Sequence, residues 1–274
     1  MSLIKVDVEK CTRDGICIAV CPRRLLSLDP EGTPVMLPEA ASYCIGCGHC
    51  VAVCPNGALD NSKNPLSDHD TIPEQYSRDP TRGALFLRSR RSIRCYKNEP
   101  VPRKQMLELL EIARFAPSGH NSQGISYVIV EGPDNLMRLR EIIVEWMMEK
   151  VKSSPQLADY LNLPAMIEAH KKGEDRIFRN APHLIVAHAL PDVIYLVSTV
   201  LSLEYIELYA QELGMGTCWV AYAQLCAQEF PAFSQFLKIP EGRNITGILI
   251  AGYPKYKYRR LPTRNPLDVA WFEA

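Results

Sequence analysis

The chain has 274 residues, 47% hydrophobic and 23% charged, as expected for an ordinary folded protein of one large domain or two smaller ones. Its 31 basic and 31 acidic residues cancel, so no net field draws it to nucleic acid or anionic lipid, and neither partner is expected. The opening stretch MSLIKVDVEKC carries acids and a cysteine where a secretory signal has its apolar core, which predicts a cytoplasmic protein. The longest apolar stretch, 193–203, is shorter than a membrane span and runs into Glu204 and Glu207, so no membrane helix is expected. Of ten cysteines, seven precede residue 55, and such crowding in a cytosolic chain favours metal ligation over disulfides.

In chain order, residues 4–8 alternate as a short strand and are followed by CTRDGICIAVCPRRLL, with Cys11, Cys17 and Cys21 before Pro22. A second strand is predicted at 34–37. Next comes YCIGCGHCVAVCPNGAL, which spaces Cys44, Cys47, Cys50 and Cys54 as C-x2-C-x2-C-x3-C-P. This run is the bacterial ferredoxin pattern, in which three thiolates on a tight loop wrap one cubane and the cysteine before proline ligates the other cluster. Gly46 and Gly48 permit the turns that bulky residues would hinder.

The first cysteine run is a copy of the second, 33 residues upstream, so residues 1–60 resemble a small two-cluster ferredoxin built as a tandem repeat. Crossed ligation assigns Cys11, Asp14, Cys17 and Cys54 to one cluster and Cys21, Cys44, Cys47 and Cys50 to the other. Asp14 stands where a cysteine is expected. A carboxylate is a harder ligand for iron than a thiolate, so this site holds either an Asp-ligated [4Fe-4S] cluster, the preferred reading, or a [3Fe-4S] cluster. Structural zinc is the rival, since C-x2-C pairs bind zinc too, but zinc rarely needs the triple spacing with its trailing Cys-Pro. His49 reads as a loop residue beside a complete ligand set.

Residues 61–83, rich in Pro, Asp and Ser without apolar periodicity, read as a linker. Residues 84–274 are long enough to form a second domain. Its predicted elements begin with a helix at 103–114, striped by Met106, Leu107, Leu110 and Ala113, and a strand at 127–130. Asp134 is expected to cap a helix carrying Leu136, Leu139, Ile143 and Trp146 on one face. The stretch 150–180 is expected to form variable pocket loops. A buried strand at 183–189 precedes Asp192, which should cap a long apolar helix at 193–213 that Gly214 stops. Such a helix belongs in a core or a subunit interface. Strands at 217–222 and 245–252 flank a short helical stretch ending near Leu237.

Helices and strands without a regular βαβ rhythm predict an α+β fold with a central mixed sheet and a long buried helix. No G-x-G-x-x-G follows a strand, so a Rossmann nicotinamide site is not expected.

Four segments of this domain share one logic. RSRRSIRCY (88–96) offers Arg90, Arg91, Ser92 and Arg94 to a phosphate dianion. APSGHNSQ (116–123) is a turn-rich loop able to present amides to a planar ring. ELGMGTCWVAY (212–222) and AGYPKYKYRRLP (251–262) complete the set. Singly they are weak, because a basic run is usually a solvated face and G-M-G usually a helix stop. In this order and spacing they resemble the nitroreductase family of FMN enzymes across 84–274.

The resemblance implies that Arg90, Arg91, Ser92 and Arg94 bind the FMN phosphate, helped by Arg259 or Arg260, although Tyr258 interrupts the usual late basic pair and leaves Lys257, Arg259 and Arg260 as alternatives. It implies that Pro117, Ser118, Gly119, Asn121 and Gln123 line the flavin and that Trp219, Val220 and Ala221 run past its ring. It also implies a homodimer with the long helix between protomers. No acid–base catalyst is nominated, since the flavin carries the chemistry and His120 reads as a loop residue.

The expected function is an iron–sulfur flavoprotein oxidoreductase. Electrons from reduced ferredoxin, another low-potential donor or NAD(P)H would pass through two clusters and FMN to a small-molecule acceptor such as a nitroaromatic or quinone. The rival from a different class is a non-enzymatic electron carrier or redox sensor acting on a protein partner.

Overall fold

The computed structural model describes residues 3–273 and divides into two units. One runs through Arg78 and takes in His120–Ser122; the other comprises Asp79–Gly119 and everything from Gln123 onward.

In the first unit the tandem repeat is visible in the backbone. Strand β1 (Ile4–Val6) pairs antiparallel with β4 (Leu59–Asn61), and β2 (Leu26–Leu28) with β3 (Pro34–Met36). Two one-turn helices, α1 (Ile16–Ala19) and α2 (His49–Ala52), follow the two cysteine loops. Each is entered through a left-handed glycine, Gly15 at φ 71° and Gly48 at φ 72°, which is why these positions lack a side chain. A small core of Cys17, Val51 and Leu59, with Val6, Ile18 and Val53 against it, joins the halves. The expected linker partly belongs to this unit: Asn61 closes β4, and Leu66–Asp68 forms a 3-10 turn.

The second unit opens with a helix not anticipated from sequence, α3 (Pro80–Ser89), which begins inside the expected linker. Asp79 caps it by accepting from the amides of Thr81 and Arg82, and Pro80 occupies the first turn. Helix α4 (Arg103–Ala113), strand β5 (Ser126–Glu131) and helix α5 (Pro133–Ser153) follow. The cap of α5 is Gly132, with Pro133 in the first turn. Asp134 therefore lies inside the helix, where an acid still favours the N-terminal dipole.

The stretch expected as pocket loops is instead helical, α6 (Pro155–Tyr160) and α7 (Leu163–Lys171), because Leu163, Met166 and Ile167 bury against α5. Strand β6 (His183–Ala189) leads to α8 (Val193–Glu212). The strand expected at 217–222 is shorter, β7 (Gly216–Trp219), and Ala221 starts α9 (Ala221–Glu229). Then come α10 (Pro231–Phe236) and β8 (Asn244–Gly252).

The four strands pair antiparallel in the order β5-β6-β8-β7, and the parallel component is a single bridge between Ser92 and Thr217. Both faces of the sheet are covered. Leu184, Val186, Ile248 and Ile250 point into the layer of α5, α7, α9 and α10, while Ile185, Ala187, Leu249 and Ala251 point toward α4 and α8. The period of two thus distributes a uniformly apolar strand between two cores, each fully buried Leu or Ile contributing about 1.5–3 kcal/mol.

Helix α8 starts as expected, with Asp192 Oδ1 accepting from the Ile194 amide at 2.7 Å, and ends before Gly214 at φ 67°. At 20 residues, close to the 193–213 expected from sequence, it is the one helix among the described residues long and apolar enough to cross a membrane by length and composition. Thr199, Leu203, Ile206 and Ala210 nevertheless pack it onto the sheet. Val193, Leu196, Val197, Val200 and Leu201 on its other side are exposed.

Candidate cluster and flavin sites

Eight cysteine and aspartate side chains sort into two sets in the first unit. One cavity is lined by Cys11, Asp14, Cys17 and Cys54, together with Thr12 and Gly15. The other is lined by Cys21, Cys44, Cys47 and Cys50, together with His49 and Asn61. The grouping follows the crossed order, because each Cys-Pro cysteine leaves its own helix toward the opposite loop. None of these cysteines is in a disulfide. Cys21 accepts from the Leu25 amide at 3.4 Å and Cys54 from the Ala58 amide at 3.2 Å, the same bond in both repeats.

Asp14 is held by the Thr12 hydroxyl at 2.7 Å and the Ile16 amide at 3.1 Å, and these two donors keep its carboxyl below the usual range. Burial pushes the thiols of Cys17 and Cys50 up, the latter opposed by a bond from Asn61. Behind the second loop, Lys63 Nζ caps the Cys44 carbonyl at 2.8 Å, and Asn64 donates to the Gly46 carbonyl at 3.1 Å. Asn61 and Asn64 escaped sequence reading because a polar residue in a Pro/Ser-rich stretch carries no periodic signal.

In the second unit a cavity of about 640 Å³ is lined by Arg90 and Arg91, by Gly214, Met215, Gly216 and Thr217 around the start of β7, and by Lys255–Tyr258. That size suits a cofactor. The segment after α3 is clipped onto β7 by the Ile93 amide, which donates to the Thr217 carbonyl at 2.8 Å. It is clipped onto the tail by the Lys97 and Lys255 amides, which donate to the Tyr253 and Cys95 carbonyls. Gly216 is required by close approach, since a Cβ there would lie 2.2 Å from Ile93.

At the cavity wall Glu207, in the C-terminal half of α8 and 4% exposed, accepts from Thr217 Oγ1 at 3.1 Å and Trp219 Nε1 at 3.0 Å and faces Arg90 at 3.4 Å. Burial raises its pKa, against the pull of Arg90. A glutamate inside an apolar helix is the signal that could have marked it. Arg91 donates to the carbonyls of Arg88 and Arg90.

The predicted flavin residues do not all meet there. Ser92 forms the bridge to Thr217, and Arg94 is exposed and off the cavity wall. Arg259 and Arg260 lie exposed beyond it, whereas Lys255 and Lys257 line it. Trp219 points to Glu207, the Val220 amide is bonded to the Ile248 carbonyl at 3.1 Å, and Ala221 begins α9. Pro117, Ser118 and Gln123 line a separate cavity of about 220 Å³ with Tyr127, Ser198 and Ser202. There Gly119 donates its amide to Ser198 Oγ at 3.2 Å. Asn121 belongs to the first unit, donating to the carbonyls of Ile45 and Gly46 at 3.1 and 3.2 Å.

The nitroreductase family model matches residues 87–253, and the 4Fe-4S dicluster domain matches residues 10–58. The chain belongs to the nitroreductase family and carries an N-terminal 4Fe-4S dicluster domain.

Among its relatives, it is 38% identical over 81 residues to iodotyrosine deiodinase 1 of Rattus norvegicus, a match spanning 29% of this chain and 28% of that protein. It is 26% identical over 182 residues to the iodotyrosine deiodinase of Thermotoga neapolitana, 64% of this chain and 91% of that protein. Its fold is similar to the FMN-bound nitroreductase of Desulfitobacterium hafniense, with TM-score 0.56 and 22% identity over 68% of this chain and 97% of that one.

Proposed function

We propose that the protein is a cytoplasmic FMN-dependent iron–sulfur oxidoreductase that takes electrons from reduced ferredoxin, a similar low-potential donor or NAD(P)H and reduces a small organic acceptor such as a nitroaromatic or quinone. The observation that carries the reading is the sorting of eight donors into two sets of four, in crossed order, around two cavities. Donors that ring a cavity in this way suit a polynuclear cluster better than a single zinc ion.

FMN fits the larger cavity of the second unit, and when bound it supplies the exchange between one-electron and two-electron transfer. Arg90, Arg91 and Lys255 or Lys257 would hold its phosphate, with Ser92 and Arg94 on the adjoining segment and Arg259 or Arg260 joining them from the tail. Glu207 would keep Arg90 oriented. Pro117, Ser118 and Gln123 sit on a different cavity of the same unit, which supports a homodimer: a second copy, meeting the exposed apolar side of α8, would bring this loop to the cationic cavity. The acceptor reading draws on relatives named as NAD(P)H nitroreductases and iodotyrosine deiodinases.

Anaerobic reductive titration with iron, sulfide and flavin analysis tests the reading. About eight irons and one FMN per chain are expected for two [4Fe-4S] clusters. A colourless protein, or zinc in place of iron, would overturn it. Turnover with a nitroaromatic, a quinone and 3-iodo-L-tyrosine then separates an enzyme from a carrier that only exchanges electrons with proteins.

A further inference from the structure

The two halves of the ferredoxin-type unit repeat at an offset of 33 residues, so Leu28 and Asn61 correspond in sequence at the ends of β2 and β4, although Leu28 is 46% exposed and Asn61 is buried. The backbone donors to sulfur are symmetric, from Leu25 to Cys21 and from Ala58 to Cys54. The side-chain donors are not. Asn61 is 2% exposed, and its Nδ2 lies 3.8 Å from Cys44 Sγ and 4.0 Å from Cys50 Sγ, within reach of an N–H to sulfur bond. Its Oδ1 accepts from the Lys63 amide at 3.0 Å, which orients the side chain so that the NH2 group, not the oxygen, faces the sulfurs. Leu28 has no donor to offer.

We propose that Asn61 is a positioning residue that raises the reduction potential of the cluster held by Cys21, Cys44, Cys47 and Cys50; this rests on the iron–sulfur reading of that set. One-electron reduction by an external low-potential donor adds negative charge that is shared by the cluster sulfurs. An N–H aimed at them stabilises the reduced state more than the oxidised one, and burial keeps water from substituting for it. No proton or ligand is exchanged in the step.

The test is an EPR-monitored redox titration of the full-length protein and of two variants. Asn61→Leu installs the residue of the other repeat. Asn61→Asp keeps an acceptor for the Lys63 amide while losing the donor. With iron and sulfide content equal to wild type, both should show a lower midpoint for this cluster only. The expected drop in the reduced-to-oxidised ratio at fixed poise is on the order of tenfold, which corresponds to about 59 mV for a one-electron couple. An unchanged midpoint would overturn the proposal, whereas a wild-type protein without this cluster would overturn the reading beneath it.

Should the variants lose iron, the wild type decides. Labelling asparagine side chains with nitrogen-15 should produce a nitrogen coupling to the reduced cluster in pulsed EPR, and its absence counts against Asn61.

Discussion

Two single residues carry opposite kinds of information. Asp14 was visible as a break in a cysteine pattern, and the structure gives it a setting: the Thr12 hydroxyl and Ile16 amide orient the carboxylate on the cavity it shares with Cys11, Cys17 and Cys54. With Asp14 as the proposed oxygen ligand, iron leaves that site more readily, so Asp14→Cys should slow iron loss in air severalfold. Following the cluster EPR signals after oxygen exposure checks this, and equal decay in both proteins would contradict it.

In the sequence Glu207 merely interrupts an apolar stretch. Burial raises its pKa above the unfolded value, so the protonated form is favoured by folding. Its contribution is therefore full below the ordinary glutamate range and is lost as pH climbs through the raised folded value. Glu207→Gln should flatten that part of the profile of melting temperature against pH. Parallel profiles for variant and wild type would show that Glu207 stays ionised throughout.

At the level of elements, the legible ones were those whose local and tertiary demands agree. The strand at 183–189 and the helix capped by Asp192 appear where apolar runs and caps placed them. Helix α3 is not legible because its cap, Asp79-Pro80, blends into a polar, proline-rich stretch. The end of β7 was misplaced because apolar residues at 217–222 suit either a strand or a buried helix, and packing of Ala223 and Cys226 in the core chose the helix.

The entrance to β7 is the element most sensitive to volume. Gly216→Ala forces a Cβ against Ile93, which also lines the 640 Å³ cavity. A destabilisation of about 1–3 kcal/mol is expected from overpacking, together with reduced FMN content. Urea denaturation and flavin absorbance measure the two effects, and a variant that keeps wild-type stability would show that Ile93 yields freely.

On the scale of the whole chain, the proposed homodimer concerns the outward side of α8. Val193 is 70% exposed and Val197 55%, an apolar stripe on a helix whose other side is packed in the core. The double substitution Leu196→Glu with Val200→Glu should convert a dimer to a monomer in analytical ultracentrifugation and lower FMN retention at least tenfold, while circular dichroism stays unchanged. A dimer that survives both charges would place the interface elsewhere.

The cysteine spacing, the tandem repeat, the α+β character and the family resemblance were all written in local order. They depend on residue types at short fixed intervals, and a loop that must wrap a cubane leaves few alternatives. That Lys255 and Lys257 line the same wall as Arg90, that Glu207 faces that arginine, and that Asn61 turns its amide toward Cys44 and Cys50 are different in kind. Each joins residues separated by eleven to well over a hundred positions. Only the packing of helices on the sheet, and of one repeat on the other, brings such distant groups within bonding reach.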